Sequence, residues 1–122
     1  MRSQVRILVV DDDPDMRFIM VRALEKLGYQ VEAVEDGLTA IKATASQKFH
    51  LALVDIKMPG MGGLETIKAI RQISPQMPIL IVTGSPDWPD PQLRAATQGC
   101  IYKPFRLEQL RSTVEKILEG LP

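Results

Sequence analysis

Short apolar runs rich in β-branched side chains recur along the chain, separated by stretches whose apolar residues are spaced as in helices. Such runs are typical of strands that are buried on both faces of a parallel sheet. The runs predict strands at five places: Val5–Val10, Gln30–Val34, Leu51–Val54, Pro78–Val82 and Cys100–Tyr102. Because strands that alternate with helices form a parallel sheet covered on both faces, the sequence predicts an α/β fold.

Five helices are expected to connect and follow these strands. The first is the best marked, because Asp13 is an N-cap acceptor, Pro14 suits the first helical position and Gly28 ends the pattern. Its apolar residues are spaced three and four apart: Met16, Ile19, Met20, Ala23, Leu24 and Leu27. A turn is predicted at Asp36–Gly37. The remaining helices are predicted at 38–47, 64–73, 92–98 and 107–118, and the apolar face of the last comprises Leu107, Leu110, Val114, Ile117 and Leu118.

Among doubly wound α/β sheets, the flavodoxin-like strand order 2-1-3-4-5 fits five strands, with helices on both faces. That order brings the carboxyl ends of strands one, three, four and five to one edge of the sheet. Polar residues follow these ends: Asp11 and Asp12, Asp55, Thr83, and Lys103. Because open α/β sheets bind ligands at this edge, we expect these side chains to form one site.

The residue types at this edge favour phosphoryl transfer. Carboxylates that lie close together repel one another and recruit a cation, and an all-oxygen site suits Mg²⁺, with Mn²⁺ as an alternative. Lys103 adds an ammonium group, which is a common partner of phosphate, and Thr83 adds a hydroxyl donor. Asp55 can then act as a carboxylate nucleophile toward phosphorus.

Length and composition limit the size of the molecule, its compartment and its partners. The 122 residues are expected to form a single domain, residues 1–122. Fifteen basic residues balance fifteen acidic ones, so we expect no bulk attraction to nucleic acid or to an anionic membrane. Cys100 is the only cysteine, which excludes an internal disulfide and fits a reducing cytoplasm.

Four segments in this order resemble the signatures of two-component response-regulator receiver domains: Val9–Pro14, Leu53–Met61, Val82–Gly84 and Tyr102–Phe105. The likeness covers the whole chain. It implies that Asp55 is the phosphoacceptor in phosphorelay signal transduction, and that a histidine kinase or histidine phosphotransfer protein is the donor. It also implies a conformational switch that controls a downstream protein or a fused output domain. Such a domain is not a turnover enzyme, although it promotes its own Mg²⁺-dependent phosphorylation and dephosphorylation.

The resemblance also implies roles for the residues around Asp55. Mg²⁺ is expected to bind Asp12 directly and Asp11 more through water, with the remaining protein ligands from Asp55 and the backbone carbonyl of Lys57. Thr83 is expected to hydrogen-bond one phosphoryl oxygen and Lys103 to form an ion pair with another. The resemblance further implies a cis peptide bond at Pro104.

Two features depart from the family pattern and concern the switch rather than the chemistry. Cys100 stands where most receivers carry a tyrosine or phenylalanine that moves together with Thr83. The segment between Thr83 and Lys103 is about two residues shorter than usual by alignment of the signatures, and it contains three prolines. We therefore expect an unusual output surface in this segment, with Trp88 as a candidate member.

The acidic residues of the first loop allow two other interpretations, which the sequence argues against. Asp11, Asp13 and Asp15 resemble the start of a calcium-binding loop, but Met16 stands where glycine is needed and Arg22 where the bidentate glutamate is needed. A phosphatase of the haloacid dehalogenase type needs Asp-x-Asp-x-Thr/Val after strand one, and Asp15 stands at the last of these positions.

A third alternative is a pseudo-receiver that binds partners without being phosphorylated. The acidic pair, Asp55, Thr83 and Lys103 argue against it, because a pure binding module does not need all of them. Phe18 and Val21 lie off the apolar face of the first helix. They are either ordinary exposed residues or a docking patch for a helical phosphodonor.

Overall fold

The computed structural model describes residues 4–56, 60–84 and 97–120. Five strands form one parallel sheet in the order β2-β1-β3-β4-β5. They are β1 (Arg6–Val10), β2 (Gln30–Val34), β3 (Leu51–Val54), β4 (Ile79–Thr83) and β5 (Gly99–Tyr102). The described ranges contain four helices: α1 (Pro14–Lys26), α2 (Gly37–Ser46), α3 (Gly63–Ile73) and α4 (Leu107–Glu119). The predicted α/β class and the strand order 2-1-3-4-5 are confirmed.

The core has two layers, one on each face of the sheet. Successive strand residues point to opposite faces, so each central strand contributes to both layers. In β1, Ile7 and Val9 pack with side chains of α1 and α4, whereas Leu8 and Val10 pack with side chains of α2 and α3. All four are at most 1% exposed. Burial on both faces explains why the strands are continuously apolar in sequence.

Helix α1 begins where the sequence predicts. The side chain of Asp13 accepts a hydrogen bond from the backbone N–H of Asp15, and Pro14 occupies the first helical position. Gly28 follows the helix with φ of 97°, a conformation that a side chain would disfavour. The assignment of Ile19 to the apolar face is wrong, because its side chain is 43% exposed. The buried stripe instead runs through Met20 and Leu24, and Ile19 lies about 100° around the helix from Met20.

The predicted turn at Asp36–Gly37 is wrong in its second residue, because Gly37 already belongs to α2. Asp36 is the N-cap, and its side chain accepts a hydrogen bond of 2.8 Å from the backbone N–H of Thr39. Gly37 is buried, and a Cβ atom there would overlap Thr66 Oγ1 of α3. The Asp-Gly pair is therefore a cap followed by a close helix–helix contact.

Helix α4 buries Leu110 and Val114, but the predicted core position Leu107 is 55% exposed in its first turn. The helix predicted at 92–98 lies outside the described residues except for its last two, which have no helical structure. Lys57 and Trp88 also lie outside the described residues. Within the described ranges, no helix has the length and apolar character needed to cross a membrane.

Candidate functional site

The hydrogen-bond ladder of the sheet continues one residue past the ends of β1, β3 and β5. The backbone N–H of Asp55 donates to Val10 O at 2.9 Å, and that of Lys103 donates to Thr83 O at 2.8 Å. On the other side of β1, Asp11 N donates to Val34 O at 3.2 Å. The first residues after three strands are thus held in register, and their side chains emerge at the same edge of the sheet.

A single ammonium group lies between two buried carboxylates at this edge. Lys103 Nζ is 2.6 Å from Asp11 Oδ2 and 3.2 Å from Asp55 Oδ2. Asp11 is fully buried, Asp55 is 7% exposed, and the side chain of Lys103 is 17% exposed. Lys103 is 92 positions from Asp11 and 48 positions from Asp55 in the sequence, so it is the topology of the sheet that brings these residues together.

The electrostatics of the site reflect two carboxylates that share one cation. Burial raises the pKa of Asp11 above its ordinary value of 3.8, although hydrogen bonds from Lys103 and from the Asp13 backbone act in the opposite direction. Burial by itself lowers the pKa of Lys103, but its hydrogen bonds and charge interactions with Asp11 and Asp55 raise it overall. Lys103 therefore stays protonated, and one ammonium does not fully compensate the buried Asp11 charge.

Three carboxylates at this edge can supply oxygen ligands to one metal ion. Oxygen atoms of Asp11, Asp12 and Asp55 lie within 4.8 Å of one another, and Asp12 is exposed while the other two are buried. An all-oxygen donor set with an open, solvent-facing side fits Mg²⁺, which keeps part of its water shell. These residues fit the ion that the sequence predicts. The fourth predicted ligand, the carbonyl of Lys57, lies outside the described residues.

The remaining predicted residues lie along β4 and β5. Thr83 is fully buried at the carboxyl end of β4 and is paired in register with Tyr102. Cys100 is paired with Ile81, two residues before Thr83, and is half-buried against the α2 and α3 layer. The Lys103–Pro104 peptide bond is cis. The structure thus brings Asp11, Asp12, Asp55 and Lys103 together, with Thr83 at the same edge and Cys100 further along β5.

Two residues at this edge were not predicted from the sequence. Arg17 Nη1 donates a hydrogen bond of 2.7 Å to the backbone oxygen of Asp11. Gly63 packs on the backbone that follows Asp55, and a Cβ at this position would lie 2.7 Å from Asp55 O. The glycines at positions 60, 62 and 63 are a sequence signal for a close backbone approach near Gly63, whereas the helical periodicity of α1 gives no indication of what Arg17 contacts.

Comparison with known proteins agrees with this geometry. A family model described as response regulator receiver domain matches residues 7–115. Response regulator receiver protein CpdR of Brucella abortus is 37% identical over 119 residues, covering 93% of this chain and 96% of CpdR. DNA-binding transcriptional regulator NtrC of Escherichia coli is 36% identical over 115 residues, which are 92% of this chain and 24% of NtrC.

A solved structure extends the likeness to three dimensions. Response regulator protein TrrA of Thermotoga maritima, crystallised in complex with Mg²⁺ and BeF, superposes with a TM-score of 0.87 at 32% identity. The match covers 93% of this chain and 99% of the TrrA chain. The chain therefore corresponds to nearly the whole of CpdR and TrrA but to about a quarter of NtrC.

Proposed function

The chain belongs to the family of response regulator receiver domains, and from this membership we propose that it accepts a phosphoryl group on Asp55 and thereby controls a partner. The observation that supports this proposal most directly is the position of Lys103 between buried Asp11 and Asp55, with Asp12 beside them. Receiver domains are signalling modules, so the phosphorylated protein is a signalling state and not a step in substrate turnover.

In the proposed reaction, a carboxylate oxygen of Asp55 attacks the phosphorus atom of a phosphohistidine. The new bond from phosphorus to the Asp55 oxygen forms as the bond from phosphorus to the donor nitrogen breaks, and the imidazole leaves. Lys103 then pairs with a phosphoryl oxygen, and the Thr83 hydroxyl donates to another. Mg²⁺ held by Asp11, Asp12, Asp55 and the Lys57 carbonyl would neutralise charge that develops on the phosphoryl oxygens; Mn²⁺ has the same ligand preference.

The charges of the site support a role for both a lysine and a divalent cation in the proposed reaction. Three carboxylates and one ammonium leave the edge negatively charged before any phosphoryl group arrives. An incoming phosphoryl group adds negative charge at the same place, which repulsion would oppose. A cation with high charge and oxygen preference lowers this repulsion, and Lys103 supplies a positive charge that is already hydrogen-bonded to Asp11 and Asp55 at the site.

We further propose a histidine kinase or a histidine phosphotransfer protein as the donor, acting in a reducing cytoplasm. The relatives suggest two arrangements for the output. CpdR is about as long as this chain, whereas the DNA-binding regulator NtrC is about four times longer, so we propose either a separate downstream protein or a fused output domain as the target. With equal numbers of acidic and basic residues, this domain is expected to act on proteins and not to bind nucleic acid or membrane directly.

We expect the conformational change to begin with movement of Thr83 toward the phosphoryl group. A shift of residues in β5 would follow. Most receivers carry an aromatic residue where this chain has Cys100, whose side chain fills less volume. We therefore propose that phosphorylation changes the surface near 84–99 differently from the usual pattern. Amide chemical shifts with and without beryllofluoride test this, and unchanged shifts throughout this segment would contradict it.

Intact-mass measurement after incubation with acetyl phosphate and Mg²⁺ tests the phosphorylation itself. The wild-type protein should gain the mass of one phosphoryl group, and Asp55→Asn should gain none. Asp15→Asn is a matched control, because Asp15 is an exposed acid in the first turn of α1 and lies outside the carboxylate cluster. Absence of added mass in the wild type, or equal addition in Asp55→Asn, would favour a pseudo-receiver that acts only by binding.

A further inference from the structure

The backbone oxygen of Asp11 lies one position beyond the hydrogen bonds that join β1 to its neighbouring strands. The flanking ladders end with Asp11 N donating to Val34 O and Asp55 N donating to Val10 O. Asp11 is fully buried, so its carbonyl oxygen has no access to bulk water. A buried backbone carbonyl at the end of a strand needs a partner from elsewhere in the protein.

Arg17 provides that partner from the first turn of α1. Its Nη1 atom lies 2.7 Å from Asp11 O, a length typical of a charge-assisted hydrogen bond. The backbone N–H of the same residue donates to Asp13 O at 3.0 Å. Arg17 therefore binds both ends of the short loop from Asp11 to Asp13, the loop that carries the acidic pair.

Each polar group of Asp11 has a partner within the protein. The backbone N–H donates to Val34 O, Oδ1 accepts from the Asp13 N–H at 2.9 Å, and Oδ2 accepts from Lys103 Nζ at 2.6 Å. Arg17 completes the set at the carbonyl oxygen. Because the side chain of Asp11 starts from a backbone fixed at both its N–H and its C=O, the direction of its carboxylate depends on both hydrogen bonds.

We infer that Arg17 is a positioning residue for the carboxylate site: by holding the Asp11 carbonyl, it sets the geometry in which Asp11 and Asp12 face a divalent cation. The inference rests on the proposed function, since it assigns Arg17 to the same site. Its action passes through the backbone and not through contact with the reacting atoms. Groups that orient metal ligands in this way change metal affinity by about ten- to a hundredfold when they are removed.

The sign of the effect separates positioning from simple electrostatics. If Arg17 acted only through its positive charge, its removal would reduce repulsion of a second cation and would tighten Mg²⁺ binding. If Arg17 positions the loop, its removal loosens Asp11 and Asp12 and weakens Mg²⁺ binding. The two explanations therefore predict opposite changes in the Mg²⁺ dissociation constant.

The test is a calorimetric Mg²⁺ titration of Arg17→Met, Arg17→Lys and the control Arg22→Met. Arg22 is on the same helix and exposed, and its guanidinium lies 5.7 Å from the centre of the Phe18 ring, so its loss removes the same charge without touching the loop. Arg17→Met should bind Mg²⁺ about tenfold more weakly than wild type. Arg17→Lys, which keeps one charged donor, should recover part of the loss, and Arg22→Met should match wild type within about twofold.

Phosphoryl uptake from acetyl phosphate gives a second readout. The rate deficit of Arg17→Met should be largest below Mg²⁺ saturation and should shrink as Mg²⁺ is raised, because the residue affects the metal ligands. Thermal unfolding in EDTA reports whether each variant is folded. If Arg17→Met does not fold, Arg17→Gln replaces it with the same expected direction.

An Mg²⁺ affinity of folded Arg17→Met equal to or tighter than wild type would overturn the inference. Failure of the wild-type protein to take up phosphoryl groups would instead count against the proposed function. The Mg²⁺ titration would still decide the role of Arg17 in that case, so the two failures are distinguishable.

Discussion

Replacing Lys103 by methionine should tighten Mg²⁺ binding while it impairs phosphorylation. Lys103 Nζ contacts two of the three carboxylates that could hold a divalent cation, at 2.6 Å from Asp11 Oδ2 and 3.2 Å from Asp55 Oδ2. Mg²⁺ must share or displace this ammonium group. Methionine keeps a similar apolar stem but removes the charge and the hydrogen bonds.

The size of the effect follows from the hydrogen bonds that Mg²⁺ no longer has to compete with. A hydrogen bond to a charged group contributes about 1.5–3 kcal/mol net. The Lys103 side chain is 17% exposed, so screening by solvent reduces this only in part. Removing one such competitor should lower the Mg²⁺ dissociation constant by about ten- to a hundredfold, at about 1.4 kcal/mol per factor of ten.

Calorimetric titration with Mg²⁺ at neutral pH measures this change, and Lys116→Met is the control. Lys116 is exposed in the last turn of α4, so its loss changes the net charge equally without affecting the site. Uptake from acetyl phosphate should fall in Lys103→Met even at saturating Mg²⁺, because no ammonium pairs with the transferred group. Unchanged or weaker Mg²⁺ binding in Lys103→Met would refute the competition argument.

Three further predictions concern the surroundings of the site. Asp11→Asn should make the protein more stable at neutral pH in the absence of Mg²⁺. Burial raises the pKa of Asp11, so the folded wild-type protein binds more protons than the unfolded protein between pH 3.8 and the raised pKa. The stability of the wild type therefore falls as pH rises through this range, and asparagine, which does not ionise, avoids the loss. Denaturant unfolding across pH checks this, and a gain that persists well below pH 3.8 would contradict it. Gly63→Ser should destabilise by roughly 1–3 kcal/mol, because its Cβ would lie 2.7 Å from Asp55 O. Gly62→Ser should stabilise by roughly 0.5–1 kcal/mol, because position 62 is an open N-cap with φ of −73°; equal effects in urea unfolding would refute this contrast. If Phe18, which is 64% exposed on α1, belongs to a docking patch for the phosphodonor, Phe18→Ala should slow transfer from a histidine phosphodonor but leave uptake from acetyl phosphate unchanged. An unchanged rate with the histidine phosphodonor would instead mean that Phe18 is an ordinary exposed residue.

The sequence predicts the fold well because the sheet is buried on both faces. A strand such as Leu51–Val54 must be apolar at each position, so it is visible as an uninterrupted run, and the polar residue at its end marks the edge of the sheet. Asp55 and Lys103 could be placed together because parallel topology forces strand ends to one side. Their association depends on strand order and needs no side-chain detail.

Sequence reasoning is less reliable where a residue has both a local and a tertiary explanation. Asp36–Gly37 fits a turn by local preference, but packing of α2 against Thr66 makes Gly37 the first helical residue. Ile19 and Leu107 fit helical periodicity, yet both lie at the border of the buried stripe. The hydrogen bond from Arg17 to Asp11 O could not be predicted, because a long flexible side chain on a helix has many possible partners and its spacing does not select one.

Among the described residues, two cationic side chains contact Asp11, and they are expected to affect the site in opposite directions. Lys103 binds the carboxylate and competes with a metal ion, whereas Arg17 binds the carbonyl and holds the loop that presents the ligands. Charge and geometry at Asp11 are therefore controlled by different residues. Mg²⁺ binding and phosphorylation are thermodynamically linked. If Mg²⁺ binds the phosphorylated protein more tightly than the unphosphorylated protein, then bound Mg²⁺ stabilises the aspartyl phosphate by the same free energy. Lys103→Met should change this coupling, because the ammonium that the phosphoryl group would otherwise bind is gone. Arg17→Met should weaken Mg²⁺ binding in both states and change the coupling less.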